Sequence, residues 1–243
     1  MNCQACGVLS LVVVVALQAA GGRSAAHEGS TGVPSSELSA PVDHPLVPLA
    51  TVSTKIFTGE EVDEATLQRV ATRIEKTVRP HAERVAGIDV TVVDVDDYHN
   101  GALHDVTEEY FAQGADGTVY YVGERVDEYA HGRIVNHDGT WLSGEQGIQP
   151  GVFMPAEPVV GETFSPENAP NIAIEQATVI AVEQSITTAA GSFEGCLVMK
   201  EIGFPEGVIE EKTYCPDVGL VREAFPGGQL ELVTFKTAAE APS

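Results

Sequence analysis

Apolar and polar residues alternate in short runs through the middle of the chain, and glycine-containing pairs separate the runs. Stretches rich in Val, Tyr and Thr lie on either side of Asn100-Gly101, Asp116-Gly117, His131-Gly132 and Asp138-Gly139. Asn-Gly and Asp-Gly favour the left-handed backbone that two-residue hairpins require. Four such turns within about forty residues predict an antiparallel meander. Centring the first turn on Asn100-Gly101 sets Val95 opposite Val106 and Tyr98 opposite Leu103. The same operation sets Phe111 opposite Val122 and Val135 opposite Leu142. Apolar residues meet in each case, as cross-strand pairing favours.

The C-terminal part has the same pattern. Strands are expected over Ile172–Ser185, Phe193–Ile202, Val208–Cys215, Gly219–Ala224 and Gln229–Phe235. A hairpin centred between Pro205 and Glu206 aligns Ile202 with Ile209, Lys200 with Glu211, and Cys196 with Cys215. That register also sets Glu201 against Glu210, a like-charge pair with an energetic cost. Thr66–Val78 fits two periods. Val70, Ile74 and Val78 recur every fourth residue, as on a helix, and the segment also alternates as a strand would. Glu60, Glu61 and Asp63 ahead of it suit a helix N-terminus.

The ends of the chain read differently. Val8–Ala20 is an apolar run, and Ser24-Ala25-Ala26 follows with small residues at the positions a signal peptidase reads. Residues 1–26 are expected to be a secretory signal peptide, too short to span a bilayer, although no Lys or Arg precedes the run. The protein is therefore expected in the periplasm or the medium, without stable membrane insertion once cleaved. Residues 27–48, with Pro34, Pro41, Pro45 and Pro48, read as a flexible lead-in. A single β domain is expected over 49–236, and a frayed tail from Thr237.

Charge narrows the partners. The formal net charge is −23, and only five residues are lysine. Such a chain repels nucleic acid and anionic lipid surfaces, so neither is expected as a partner. Of four cysteines, Cys3 and Cys6 leave with the leader. Cys196 and Cys215 remain, and in an exported protein they most simply form one disulfide. Closing a loop of about twenty residues should contribute roughly 3 kcal/mol.

Candidate chemistry is sparse. No G-x-S-x-G, H-E-x-x-H, P-loop or G-x-G-x-x-G occurs, and no cofactor is expected. Asp94, Asp96 and Asp97 suggest a calcium loop, but Tyr98 and Thr107 would fall at ligand positions and cannot serve there. The Asn100-Gly101 register instead sets Asp96 opposite Asp105, a pair that a cation would relieve. The bland reading is an exposed hairpin tip in water. The 141–155 loop is the best candidate for ligand binding, because long irregular loops on a rigid sheet often carry function. Trp141, Gln149 and Met154 from this loop, with Tyr121, form the candidate ligand-binding set. The competing reading is that Trp141 and Met154 are core.

Several stretches together resemble a group of uncharacterised exported bacterial proteins. These are Asp116-Gly-Thr-Val-Tyr-Tyr-Val-Gly-Glu124, the 139–156 segment from Gly139-Thr-Trp to Met-Pro-Ala156, Val160-Gly-Glu-Thr-Phe164, Ala190-Gly-Ser-Phe-Glu-Gly-Cys-Leu197 and Tyr214-Cys-Pro-Asp-Val-Gly-Leu-Val221. The resemblance covers roughly residues 48–234. It implies an all-β fold, and hence a strand at 66–78. Asp217 departs from the group's usual Gly, and Cys215 from its usual non-cysteine residue. No activity comes with the resemblance. The expectation is an all-β antiparallel meander of about ten to twelve strands, either a half-open barrel or a sandwich. The leading function is non-enzymatic binding of a small or apolar ligand on the curved sheet. The alternatives are a hydrolase with dispersed Asp, Glu and His residues, and a structural envelope or extracellular protein. The sequence does not set the oligomeric state.

Overall fold

The computed structural model describes residues 35–63, 67–205 and 207–238. The expected signal peptide and the first part of the lead-in lie outside the described residues, as does most of the expected tail. In chain order the strands are β1 (Leu38–Ser39), β2 (Val52–Asp63), β3 (Gln68–Val78), β4 (Glu83–Val85), β5 (Ile88–His99), β6 (Ala102–Gly114), β7 (Val119–Ala130), β8 (Arg133–Asn136) and β9 (Trp141–Leu142). They continue with β10 (Gly151–Met154), β11 (Thr163–Phe164), β12 (Asn168–Ala169), β13 (Ala173–Thr188), β14 (Gly191–Phe204), β15 (Val208–Cys215), β16 (Gly219–Phe225) and β17 (Gly228–Thr237). The all-β antiparallel expectation holds. The strand count is seventeen, above the expected range, because β1, β4 and β8 to β12 are short edge segments of two to four residues. The segment that fitted both periods is strand, as β3.

Each long strand pairs antiparallel with its neighbour. β13 to β17 form one meander and β2, β3, β5, β6 and β7 another, and β17 joins β2. The result is one continuous sheet rather than two packed sheets. Its free edges are covered by short segments: β8, β9 and β10 all lie along β7, and β11 and β12 along β13. Covering an edge removes a template for pairing with other chains. The largest core cluster joins Val93, Val95, Phe111 and Tyr121 from one half to Val179, Leu197, Met199 and Tyr214 from the other. The sheet therefore curls around a concave core, as a half-open barrel. A second cluster, including Val90, Val92, Tyr110, Tyr120 and Val122, lies on the opposite face of β5 to β7, as period-two alternation requires.

The Asn100-Gly101 register agrees with the sequence next to its turn and departs from it beyond a bulge, and the Asp116-Gly117 register does the reverse. Tyr98 faces Leu103, but Val95 faces Thr107 rather than Val106. The ladder slips because β6 carries one extra residue, His104, between the Asp97–Asp105 and Tyr98–Leu103 pairs. Phe111 faces Tyr121 rather than Val122, because the Asp116-Gly117 reversal starts one residue away from the expected register, with Gln113 opposite Val119. A second bulge, at Val122, restores it and sets Tyr110 opposite Gly123. Gly123 has φ 140°, and a Cβ there would lie 2.4 Å from the Trp141 carbonyl oxygen, so only glycine lets β9 approach. Val135 does not face Leu142. β8 and β9 run along the same edge of β7, and Asp138-Gly139 forms an outward loop between them. In the C-terminal hairpin every expected pair forms, including Lys200–Glu211, Ile202–Ile209 and Glu201–Glu210. The Cys196–Cys215 disulfide closes it.

The lead-in is also more structured than its composition suggests. β1 pairs with the end of β6, and Val42, His44, Leu46 and Val47 are buried. Its apolar residues, spaced between prolines, seal one end of the core, so the folded part includes Leu38 onward.

Candidate functional site

Alternation on the long strands sends an unusual set of charges inward. A cavity of about 120 Å³ opens between the Leu46–Leu49 segment, the start of β2 and the inner face of β15 and β16. Phe111, Phe153, Tyr214 and Leu220 form apolar wall, and Lys55, Lys76 and Lys212 reach it together with Glu109 and Glu223. His44 fixes the covering segment. Its Nδ1 accepts from the Leu46 amide at 3.1 Å, and its Nε2 lies 3.3 Å from the Ala156 carbonyl oxygen. Burial lowers the pKa of His44, so its neutral form is favoured for both contacts.

The lysines are not equivalent. Lys55 and Lys76 are direct cross-strand partners, a like-charge pairing that costs stability. Lys76 is balanced by Glu109 at 3.0 Å. Among the described residues no carboxylate bridges Lys55, whose Nζ has only the Leu220 carbonyl oxygen at 3.5 Å. Burial pushes Lys55 down to about 7, and the neighbouring Lys76 charge adds to this against an opposing pull from Glu109. Lys212 is the reverse case. Its Nζ lies 2.5 Å from Glu201, 3.3 Å from Glu210 and 4.0 Å from Glu223. Burial alone would lower it, but Glu201, Glu223, Glu210 and Glu175 hold it well above the usual lysine range. Glu210 is pushed up to about 8 by burial and by Glu223 and Glu201, against the pull of Lys212.

The candidate ligand-binding set lies elsewhere. Trp141 is 1% exposed and Tyr121 5% exposed, with their rings edge to face 5.5 Å apart. Both serve a pair of buried carboxyls: Tyr121 donates to Glu124 at 3.0 Å, and the Trp141 indole N–H donates to Glu167 at 3.4 Å. Burial, with the Glu109 charge, pushes Glu124 up to about 7, and burial and the Glu124 charge hold Glu167 well above the usual carboxylate range. Met154 is fully buried in the core, and Gln149 is exposed, donating to the Gly147 carbonyl. None of these four lines the cavity; Phe153, between Val152 and Met154, does. The lysines were the signal that pattern reading passed over. Three of the five in a strongly acidic chain converge on one cavity.

A second polar group gathers at the Asn100-Gly101 hairpin, on the same inward face. Asp96 is not in it. The slip at His104 sets Asp96 opposite Val106 and brings Asp97 opposite Asp105. His99 Nε2 lies 2.8 Å from Glu61 and 3.3 Å from Asp97, and His104 Nδ1 lies 3.4 Å from Asp105. The two imidazoles stack, with centroids 3.9 Å apart. Burial works against protonation of His99, but Asp97 and Glu61 push it up to about 10.

No protein-family model matches the chain, and no curated protein matches it. Among solved structures it is similar to the crystal structure of a "putative lipoprotein" from Parabacteroides distasonis ATCC 8503, at 13% identity and a TM-score of 0.42. That similarity covers 76% of this chain and 95% of the other. Likeness of this degree carries no information on ligand or activity.

Proposed function

We propose that this protein is an exported binder of a small amphipathic anion, such as a carboxylate with an apolar tail or ring, held in the Lys55 cavity. Export is supported by the sequence of residues 1–26 and by the Cys196–Cys215 disulfide. The observation that carries the ligand class is Lys55: an inward-facing ammonium with no carboxylate partner among the described residues, directly opposite Lys76, on an apolar-walled cavity. An anionic head between the two lysines would offset their repulsion, and the phenyl rings of Phe111 and Phe153 would take the apolar part.

The test uses octanoate against octanol, two probes of equal tail and different head. Octanoate should raise the melting temperature of the full chain, and octanol should do so far less. A ligand at a hundred times its Kd adds about 2.7 kcal/mol. Lys55→Met should lose the octanoate shift while melting higher without ligand, because a poorly compensated buried ammonium is gone. Equal shifts from both probes, or none from octanoate, would sink the anion reading.

A hydrolase is the second reading, and one observation favours it. The cavity holds two ionisable groups displaced in opposite directions, Lys55 downward and Lys212 upward, a pattern that acid–base sites share. Release of p-nitrophenol from p-nitrophenyl octanoate, lost in Lys55→Met, would support turnover over retention.

A further inference from the structure

The hairpin group lies away from the anion cavity and has a different chemistry. Its members come from three strands: Glu61 on β2, Asp97 and His99 on β5, and His104 and Asp105 on β6. In a regular ladder His104 and Asp105 would point to opposite faces. The bulge at His104 turns both toward Asp97 and His99, so two imidazoles and two carboxylates share one inward-facing patch.

One ligand atom from each of Asp97, His99 and His104 lies within 4.8 Å of the others. The Asp97 side chain is 5% exposed, with one oxygen 3.3 Å from His99 Nε2 and the other, Oδ1, buried without a hydrogen-bond partner. His99 Nε2 likewise makes no hydrogen bond, although Glu61 and Asp97 flank it. Among the described residues no lysine or arginine bridges Glu61, Asp97 or Asp105. A buried carboxylate oxygen left without a partner is costly unless a cation takes it.

We propose that Asp97, His99 and His104 bind a divalent transition-metal ion of the zinc class, with Glu61 closing the site beside His99. Imidazole nitrogens select this class over calcium and magnesium, which prefer all-oxygen shells. The edge of a tetrahedron with zinc-type bonds of about 2.0–2.1 Å is roughly 3.3 Å, close to the His99–Asp97 separation. Asp105, behind His104, positions its ring as carboxylates do behind metal-bound histidines. The ion would clip β2, β5 and β6 together across β3.

Native mass spectrometry of the full chain with Zn²⁺, and visible absorption with Co²⁺, test the site. One ion per chain, the visible bands of low-symmetry Co²⁺, and no displacement by excess Ca²⁺ are expected. Asp97→Asn and His104→Gln should each weaken Zn²⁺ binding by about a hundredfold or more. Should Asp97→Asn fail to fold, His104→Gln decides, because His104 is the extra residue of a bulge and pairs with nothing in the ladder. Failure of the folded wild type to retain zinc, equal competition by calcium, or wild-type affinity in His104→Gln would overturn the assignment.

Discussion

Two acidic clusters share the inner face of this sheet and solve the same problem in different ways. In one, Glu175, Glu201, Glu210 and Glu223 surround Lys212, a cation built into β15. In the other, Glu61, Asp97 and Asp105 surround His99 and His104, and no lysine or arginine reaches them among the described residues. A lysine is a permanent counter-ion fixed by covalent connection, so the first cluster is a closed structural unit. Imidazoles can carry a proton or donate a lone pair, so the second can exchange one cation for another. Acidity alone does not mark a ligand site; the identity of the groups that neutralise it does.

The most severe way to break the comparison is to remove the built-in cation. Lys212→Met leaves Glu201, 2% exposed, beside Glu210 with nothing between them. Stripping one partner from a buried charge cluster costs about 3–5 kcal/mol. Urea unfolding at pH 7 should show a loss of that order. A loss under about 1 kcal/mol at pH 7 would mean that the cluster does not depend on Lys212.

The disulfide is the next largest lever. Cys196 and Cys215, 19 residues apart, tie together the two strands that hold Glu201, Glu210 and Lys212. Replacing both by serine should lower stability by about 3 kcal/mol. It should leave zinc binding at the hairpin unchanged, because that cluster is assembled by β2, β5 and β6. Loss of zinc binding in a folded double variant would show that the two clusters are not independent.

Proton linkage sharpens the contrast further. In the unfolded chain the glutamates titrate near 4.5, whereas in the fold Glu124 is raised to about 7 and Glu210 to about 8. Between those values the folded state binds more protons, so stability falls as pH rises. His99, raised to about 10, acts in the same direction above its unfolded value of 6.5. Lys55 opposes them only above about 7, where its lowered pKa lets it discharge before the unfolded chain does. The fall should therefore be steepest between pH 5 and 7, on the order of 4 kcal/mol, read from urea midpoints. A midpoint that rises over this interval would contradict the buried-carboxyl account.

What the sequence disclosed follows from how local each signal is. Turn chemistry is local, so the pairs next to Asn100-Gly101 and the whole Pro205 hairpin were readable. A bulge is set by what the extra residue meets across the sheet. Nothing near His104 announced one, and its slip moved every pair beyond it. At Val122 the neighbouring Gly123, inside a strand, was the signal, and that slip offsets one made at the Asp116-Gly117 turn. The candidate ligand set lies apart from the lysine cavity for a related reason. Tyr121, Trp141 and Met154 have the composition of a binding surface, but their carboxyl partners and packed neighbours come from elsewhere in the sheet. The inward lysines were visible as alternation, Lys55 with Phe57 and Lys76 with Ile74, yet a pattern reader assigns lysine to solvent by default.

The smallest expected effect is at Asp96, and it separates the two registers most cleanly. If the hairpin ran without a bulge, Asp96 would face Asp105 and Asp96→Asn would remove a cation ligand. With His104 bulged, Asp96 faces Val106 on one side and Glu75 on the other, on the face away from the histidines. A one-residue slip moves a side chain to the opposite face of the sheet, so the two registers make opposite predictions for one substitution. Burial and the nearby Asp94 charge raise the pKa of Asp96, so its charge is disfavoured where it stands. Asp96→Asn should change stability by no more than about 0.5 kcal/mol, toward stabilisation, and leave zinc affinity intact. Asp97→Asn, one position along, should weaken zinc binding by about a hundredfold or more. If the two variants exchange these outcomes, the ladder runs straight through His104, and both the bulge and the metal site built on it are wrong.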